Sequence, residues 1–98
     1  MTDIADDLRV ADNPAESRYE AVLDGRLVGV SEYDLEGDRI VFVHTEVDSS
    51  VEGKGVGSRL AQAALDDVRR RGLTLVADCP FIAAWLKRHR DYQDLVSG

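Results

Sequence analysis

The chain has few of the residues that cross-link small proteins or bind metals. Cys79 is the single cysteine among 98 residues, so a disulfide within the chain is excluded. One cysteine with two well-separated histidines is a poor set of metal ligands, and we expect no metal. No apolar run approaches the roughly 20 residues that a membrane-spanning helix needs. Residues 1–7 are acidic where a secretory signal is basic and then apolar, so we expect a cytoplasmic protein.

Charge is divided unequally between the two halves of the chain. The net charge of −7 combines a balance of −9 in residues 1–50 with a balance of +2 in residues 51–98. Binding to nucleic acid requires a broad basic surface, so we expect no nucleic-acid partner. Two interpretations stay open. A compact polyanion could bind the second half while a cationic substrate meets the first, or the acidic side chains could serve solubility alone.

The first half predicts antiparallel strands. Period-two alternation and turn residues mark four stretches, at residues 8–11, 18–23, 27–35 and 39–47. Asp24 and Gly25 form a pair that supplies the positive φ angles of a type I′ hairpin turn. In the fourth stretch, alternation predicts one face with Ile40, Phe42, His44 and Glu46, and another with Val41, Val43, Thr45 and Val47. Both faces are largely apolar, so we expect this strand to be central.

The second half predicts a helix, a strand and another helix. Apolar residues from Gly57 to Val68 recur at helical spacing, Arg69, Arg70 and Arg71 follow in the last turn, and Gly72 is suited to the cap. Residues 73–77 predict a short strand, and Pro80 begins a helix with a stripe of Ile82, Trp85, Leu86 and His89. A strand–turn–helix–strand unit makes its two strands parallel. We therefore expect one α+β domain over residues 1–98, a mixed sheet with packed helices, frayed at residues 1–7 and 93–98.

A glycine-rich turn lies between the fourth strand and the first helix. Gly53, Gly55 and Gly57 alternate, so the backbone can adopt positive φ and approach a ligand closely. The N–H groups of the first helical turn then converge where the helix dipole favours negative charge. Lys54 and Arg59 add positive charge to the rim. The turn therefore predicts a pyrophosphate site.

Two known phosphate-binding turns fit this sequence poorly. A Walker A loop needs lysine followed by serine or threonine, whereas Lys54 is followed by Gly55. A dinucleotide fingerprint is nearly supplied by Gly53, Gly55 and Ser58, with Asp78 as the ribose-binding acid. Antiparallel hairpins precede the turn and only one strand follows it, so a doubly wound sheet cannot be built.

The turn resembles the acetyl-CoA-binding sequence of the GNAT superfamily, Gln/Arg-x-x-Gly-x-Gly/Ala. Gly55 and Gly57 match it, and Glu52 replaces the usual glutamine or arginine. The chain is most similar to a minimal stand-alone branch of small N-acetyltransferase-domain proteins. Residues 42–47 and 79–89 carry that similarity, although Arg90-Asp91-Tyr92 stands where the family usually has Pro-Glu-Tyr.

The resemblance implies acetyl-CoA as co-substrate, with its pantetheine arm between the splayed ends of the two parallel strands. The implied cofactor-binding residues are Thr45, Val47, Glu52, Gly53, Lys54, Gly55, Val56, Gly57, Ser58, Arg59, Lys87 and Arg88. It also places three candidate catalytic residues near the thioester. Glu46 could act as general base with His44 as relay, and Cys79 could donate a proton or accept the acetyl group. Each could instead be structural or solvated.

The resemblance therefore implies an acetyl-CoA-dependent N-acetyltransferase acting on an amine of unknown identity. The acceptor could be a small molecule or a protein amino group, and a homodimer is possible. The alternative is a non-catalytic module that binds CoA or a partner, because so short a chain leaves the acceptor site open.

Overall fold

The computed structural model describes residues 8–96, in which five strands form one sheet in chain order. The strands are β1 (Leu8–Asn13), β2 (Arg18–Leu23), β3 (Arg26–Glu36), β4 (Arg39–Val47) and β5 (Thr74–Ala77). β1 to β4 are antiparallel neighbours, and β5 pairs in parallel with β4. The predicted mixed sheet is confirmed, and it is not doubly wound. The expectation of fraying at residues 1–7 lies outside the described residues.

Two helices follow β4, and both pack on the same face of the sheet. They are α1 (Val56–Arg70) and α2 (Pro80–Arg88), and short 3₁₀ segments occupy Pro14–Glu16, Ser49–Val51 and Arg90–Leu95. The predicted stripe of α1 is confirmed, since its buried residues include Leu60, Ala61, Ala64, Leu65 and Val68. α1 contacts all five strands, whereas α2 contacts β4, β5 and α1. Within residues 8–96, no helix is long and apolar enough to cross a membrane.

Local turn chemistry behaves as predicted at both the first hairpin and the end of α1. Asp24 and Gly25 have φ of 51° and 79°, the positive values that a type I′ turn requires. Gly72 follows α1 with φ of 69°, and its N–H donates to the carbonyl of Arg69 at 3.1 Å. Glycine adopts this left-handed conformation without the penalty that a Cβ brings, so it ends the helix.

The predicted faces of β4 are wrong beyond Phe42, because a bulge at Val43 interrupts the alternation. Tyr33 lies opposite Phe42, but the preceding residue Glu32 lies opposite His44, which leaves Val43 as an extra residue. His44 and Glu46 therefore lie on the face opposite Phe42. Thr45 and Val47 take the face covered by the helices. β4 is paired on both sides, as expected of a central strand, only as far as Phe42.

Residues 93–96, for which the sequence predicts fraying, pack against the rest of the molecule, and residues 97 and 98 lie outside the described residues. Leu95 is buried, and the Gln93 amide donates to the carbonyl of Leu86 at 2.6 Å. Asp94 forms an ion pair with Arg69 at 2.9 Å, and Val96 makes a parallel bridge to Leu75. Leu95 belongs to the hydrophobic core, and its 3₁₀ segment packs against α2.

Candidate active site

A slot opens where β4 and β5 separate. The last backbone hydrogen bond between the two segments is donated by the N–H of Cys79, just after β5, to the carbonyl of Phe42 at 2.8 Å. The Asp48 N–H donates to the carbonyl of Val28, on the β3 side, at 2.8 Å. Because strand backbone groups alternate in direction, those of Thr45 and Val47 point to the β5 side, into the slot. An extended ligand can therefore add hydrogen bonds along this edge of β4.

The glycine-rich turn stands at the mouth of the slot. Gly53 and Gly55 have φ of 80° and 81°, and a Cβ on either would meet open space within 4 Å. Gly55 caps α1, and the Arg59 N–H closes the first helical hydrogen bond to its carbonyl at 3.0 Å. The N–H groups before Arg59 lack partners within the helix and lie at its positive end. This arrangement is suited to bind an anion.

Gly57 also lines the candidate cavity but differs from the other two glycines, because its φ is not positive, contrary to the expectation for all three. A Cβ on Gly57 would lie 2.7 Å from Cζ of Phe81. The position therefore lets α2 pack closely against the first turn of α1.

One cavity of about 400 Å³ connects the slot with the turn. Its lining residues are Thr45, Val47, Val51, Glu52, Gly53, Gly55, Val56, Gly57, Ser58, Phe81 and Arg88. Nine of these were among the predicted cofactor-binding residues. The sequence-based prediction missed Val51 and Phe81. Val51, an apolar residue next to the glycine turn, could have been found from the sequence, whereas Phe81 reaches the cavity only through the packing of α2.

Three of the predicted basic residues do not line this cavity. Lys54 lies in the turn with its side chain exposed, and Lys87 is exposed on α2. Arg59 lines a different cavity, together with Gln62, Ala63 and Asp66. Arg88 is thus the predicted basic side chain that the fold brings to the cavity.

The segment that leads into the turn is fixed by Asp48. Its carboxylate accepts from the Ser50 N–H at 2.8 Å and pairs with Arg26 at 3.5 Å. The hydrogen bonds from Ser50, with the Arg26 charge, lower the pKa of Asp48 below its ordinary value. The capping carboxylate therefore stays ionised and holds the turn over the end of β4.

Cys79 lies behind Thr45, at the N-terminus of α2. The thiol is 1% exposed, and its sulfur donates to Oγ1 of Thr45 at 3.3 Å. Thr45 in turn lies 3.0 Å from Oγ of Ser31, a buried serine in β3. A thiol and two hydroxyls therefore form a chain, of which Thr45 lines the cavity. The predicted position of Cys79 at a helix N-terminus is confirmed.

His44 and Glu46 form a second group on the other face of β4. Nε2 of His44 lies 3.3 Å from Oε1 of Glu46, and both side chains are more than half exposed. The bulge at Val43 places this pair opposite Thr45 and Cys79. The three candidate catalytic residues thus flank the slot from two sides and do not form one contact cluster.

A larger cavity of about 710 Å³ lies elsewhere, between β1 and α1. Its walls carry Asp12, Tyr19, Asp67 and Arg71, which bond to one another: Arg71 reaches Asp12 at 3.2 Å and Asp67 at 3.3 Å. These polar groups satisfy each other, and none of the residues that line the cavity is a glycine or belongs to a helix N-terminus. We therefore place the candidate active site in the smaller cavity.

Comparison with solved structures shows a shared fold. A GCN5-like protein from Staphylococcus aureus superposes with a TM-score of 0.70 at 23% identity, over 100% of this chain and 92% of its own. The ribosomal-protein-S18-alanine N-acetyltransferase from Escherichia coli gives 0.58 at 18% identity, over 61% of this chain and 39% of its own. The ribosomal-protein-alanine N-acetyltransferase from Brucella melitensis biovar Abortus 2308 gives 0.57 at 23% identity, over 83% of this chain and 61% of its own. The chain thus spans less than two thirds of these two enzymes.

No curated protein is significantly similar to the chain in sequence. The sequence model of the GCN5-related N-acetyl-transferase family, however, matches residues 18–95, which is most of the chain. That range includes β2 to β5, the glycine turn and both helices. The chain therefore belongs to the GCN5-related N-acetyltransferase family.

Proposed function

We propose that this protein is an acetyl-CoA-dependent N-acetyltransferase that moves an acetyl group to an amine. One observation carries the proposal: the anion-binding turn and the unpaired edge of β4 line one cavity. An anion-binding turn suits a pyrophosphate, and an unpaired strand edge suits an amide-containing arm such as pantetheine. The residues present therefore fit CoA.

The chain's own groups divide into those that bind CoA and those that handle protons. The N–H groups of Gly53 and of residues 55–58, with the Arg88 guanidinium, would bind the phosphates, whereas the N–H of Lys54 donates to the carbonyl of Val51. The backbone of Thr45 and Val47 would orient the arm. CoA supplies the acetyl group as an activated thioester. Glu46, with His44, would accept the proton of the attacking amine. Cys79, through Thr45, would supply a proton at the opposite face of β4.

The placement of these groups on two faces supports separate acid and base roles. A proton is lost by the amine on one side of the reacting carbon and gained by the thiolate on the other. A base at Glu46 and an acid behind Thr45 would not neutralise each other, because β4 lies between them. The acidic first half of the chain would attract a cationic amine.

A non-catalytic CoA-binding module is the second candidate. The 1% exposure of Cys79 favours it, since a thiol so buried contacts a ligand only after local movement.

The binding part is tested by calorimetry with CoA on Gly55→Val. A side chain there strains a φ of 81° and occupies the space where phosphates would approach, so most affinity should be lost. Gly25→Val is a matched control, because Gly25 has φ of 79° and an equally open surrounding in a hairpin far from the turn. Unchanged CoA binding by a folded Gly55→Val variant would refute the assignment of the turn.

The catalytic part is tested by acetyl-CoA turnover over a panel of amines. Glu46→Gln and Cys79→Ala should each reduce kcat by about tenfold or more, as loss of an acid or base does, while CoA still binds. Glu36→Gln, at the far end of β3, is the control for loss of one acidic side chain. CoA binding with no turnover on any amine would favour the non-catalytic module.

A further inference from the structure

Trp85 connects α2 to the first turn of α1 through its ring nitrogen. It is the single tryptophan of the chain and is 1% exposed. A buried indole N–H needs an acceptor, and here Nε1 donates to Oγ of Ser58 at 3.0 Å. Ser58 is the third residue of α1 and lines the candidate cavity.

This bond determines which further hydrogen bonds the Ser58 hydroxyl can make. A serine hydroxyl has one hydrogen to donate and two lone pairs that accept. Because a lone pair receives the indole N–H, the hydroxyl hydrogen is directed to another acceptor. Ser58 stands among the N–H groups that converge at the N-terminus of α1, where an anion is favoured.

We propose that Trp85 is a positioning residue that sets the Ser58 hydroxyl as a side-chain donor to the pyrophosphate of CoA. The proposal rests on the proposed function, since it concerns how the same site recognises its co-substrate. In this proposal α2 has two roles. It orients a hydroxyl at the phosphate site through Trp85, and it forms one wall of the cavity.

The indole itself is held on both sides, so the donor is prearranged. His89 stacks on Trp85 with ring centroids 3.7 Å apart and planes inclined by 11°. The Tyr92 ring packs edge-on against the indole, with ring centroids 5.0 Å apart and planes inclined by 67°. On the same helix, Phe81 lies against Gly57, next to Ser58. A donor that is already ordered loses little conformational freedom when a ligand binds.

The first experiment uses the unmodified protein and the single indole N–H resonance in an ¹⁵N correlation spectrum. Inorganic pyrophosphate and CoA should both shift this resonance, because each changes the acceptor strength of Ser58. S-acetyl-pantetheine, which carries the thioester without phosphates, should leave it in place. The proposal is overturned by equal shifts with S-acetyl-pantetheine, or by no shift with CoA that calorimetry shows to be bound.

The second experiment measures affinities for CoA and S-acetyl-pantetheine in four proteins: wild type, Trp85→Phe, Ser58→Ala and the double variant. Trp85→Phe keeps the aromatic stack but loses the N–H, and should weaken CoA about threefold to tenfold, the value of one hydrogen bond. Its affinity for S-acetyl-pantetheine should not change. The double variant should bind CoA as Ser58→Ala does, since Trp85 acts only through Ser58.

Tyr92→Phe is the matched control, because it alters another aromatic residue on the same indole without touching Ser58. Equal losses for both ligands in Trp85→Phe, or additive losses in the double variant, would show that Trp85 serves packing alone. Wild type that binds no CoA overturns both proposals. Wild type that binds CoA with no change in Trp85→Phe overturns this one and leaves the proposed function standing.

Discussion

Alternating glycines in the turn satisfy two separate physical requirements. Gly53 and Gly55 are needed for their positive φ, which costs a residue with a Cβ about 1–2 kcal/mol. Gly57 has no positive φ and is needed because Phe81 lies where a Cβ would be. The three residues look alike in the sequence, because the contact that distinguishes Gly57 comes from a helix more than 20 residues away.

We predict that Gly57→Ala and Phe81→Leu are energetically coupled. Gly57→Ala forces the Phe81 ring to move, whereas in a Phe81→Leu background the new methyl group has room. The free energy of unfolding should therefore fall about 1 kcal/mol less in that background, as urea denaturation would measure. Gly55→Ala is the matched control, because its cost comes from backbone strain and should be equal in both backgrounds. Additive losses for Gly57→Ala would contradict the steric role.

At the scale of single elements, the bulge in β4 determines the site, because it switches the sheet face to which later side chains of the strand belong. Strict alternation places His44 and Thr45 on the wrong faces, since nothing in residues 39–47 distinguishes the bulged residue from its neighbours. The hairpin turn at Asp24 and the end of α1 at Gly72 were predictable, because each depends on the intrinsic conformational preference of a few adjacent residues. Arg88 and Phe81 could not be placed from the sequence alone. Their side chains reach the cavity because of how α2 packs, and that packing depends on distant parts of the chain.

Deletion of Val43 should keep the fold and lose the site. Val43 is 40% exposed, so little core is removed, and the cross-strand pairs on either side of it can be retained. Without the extra residue, β4 should bend less and continue alongside β5, which narrows the slot. We expect the variant to unfold cooperatively yet bind CoA at least tenfold more weakly by calorimetry. Val43→Ala, which keeps the bulge, should bind like wild type, and equal losses in both variants would rule out a role for the bulge.

Across the whole molecule, a cluster of tyrosines and ionic groups ties the sheet to α1. The Tyr33 hydroxyl donates to Asp12 at 2.6 Å, and the Tyr19 hydroxyl donates to Asp67 at the same distance. Arg71 bridges the two carboxylates. Burial and the hydrogen bond to Asp12 raise the pKa of Tyr33 to about 12, and burial with Asp67 raises that of Tyr19 still further.

This cluster should make the protein lose stability at alkaline pH. The folded state holds the Tyr33 proton more tightly than the unfolded chain, in which tyrosine has a pKa of about 10. Its contribution is therefore fully present below pH 10 and is lost as the pH rises toward about 12. In Tyr33→Phe, the free energy of unfolding should fall less steeply over that interval. The slope against pH should differ from that of wild type by the equivalent of up to one bound proton per molecule. Parallel curves for Tyr33→Phe and wild type in urea titrations would show that Tyr33 does not govern the loss.

The order of the strands in the sheet is also the order in which the chain can assemble. Each of the first four strands meets its neighbour through a short turn, so loop closure costs little entropy. Only β5 must wait for α1 to form and cross the sheet before it can pair with β4. We therefore expect β4 and β5 to pair last during folding. These two strands also share fewer paired residues than any other neighbouring strands of the sheet. We therefore expect β4 and β5 to separate more easily than the hairpins do, so that a long, flexible ligand could enter the candidate active site without disturbing them.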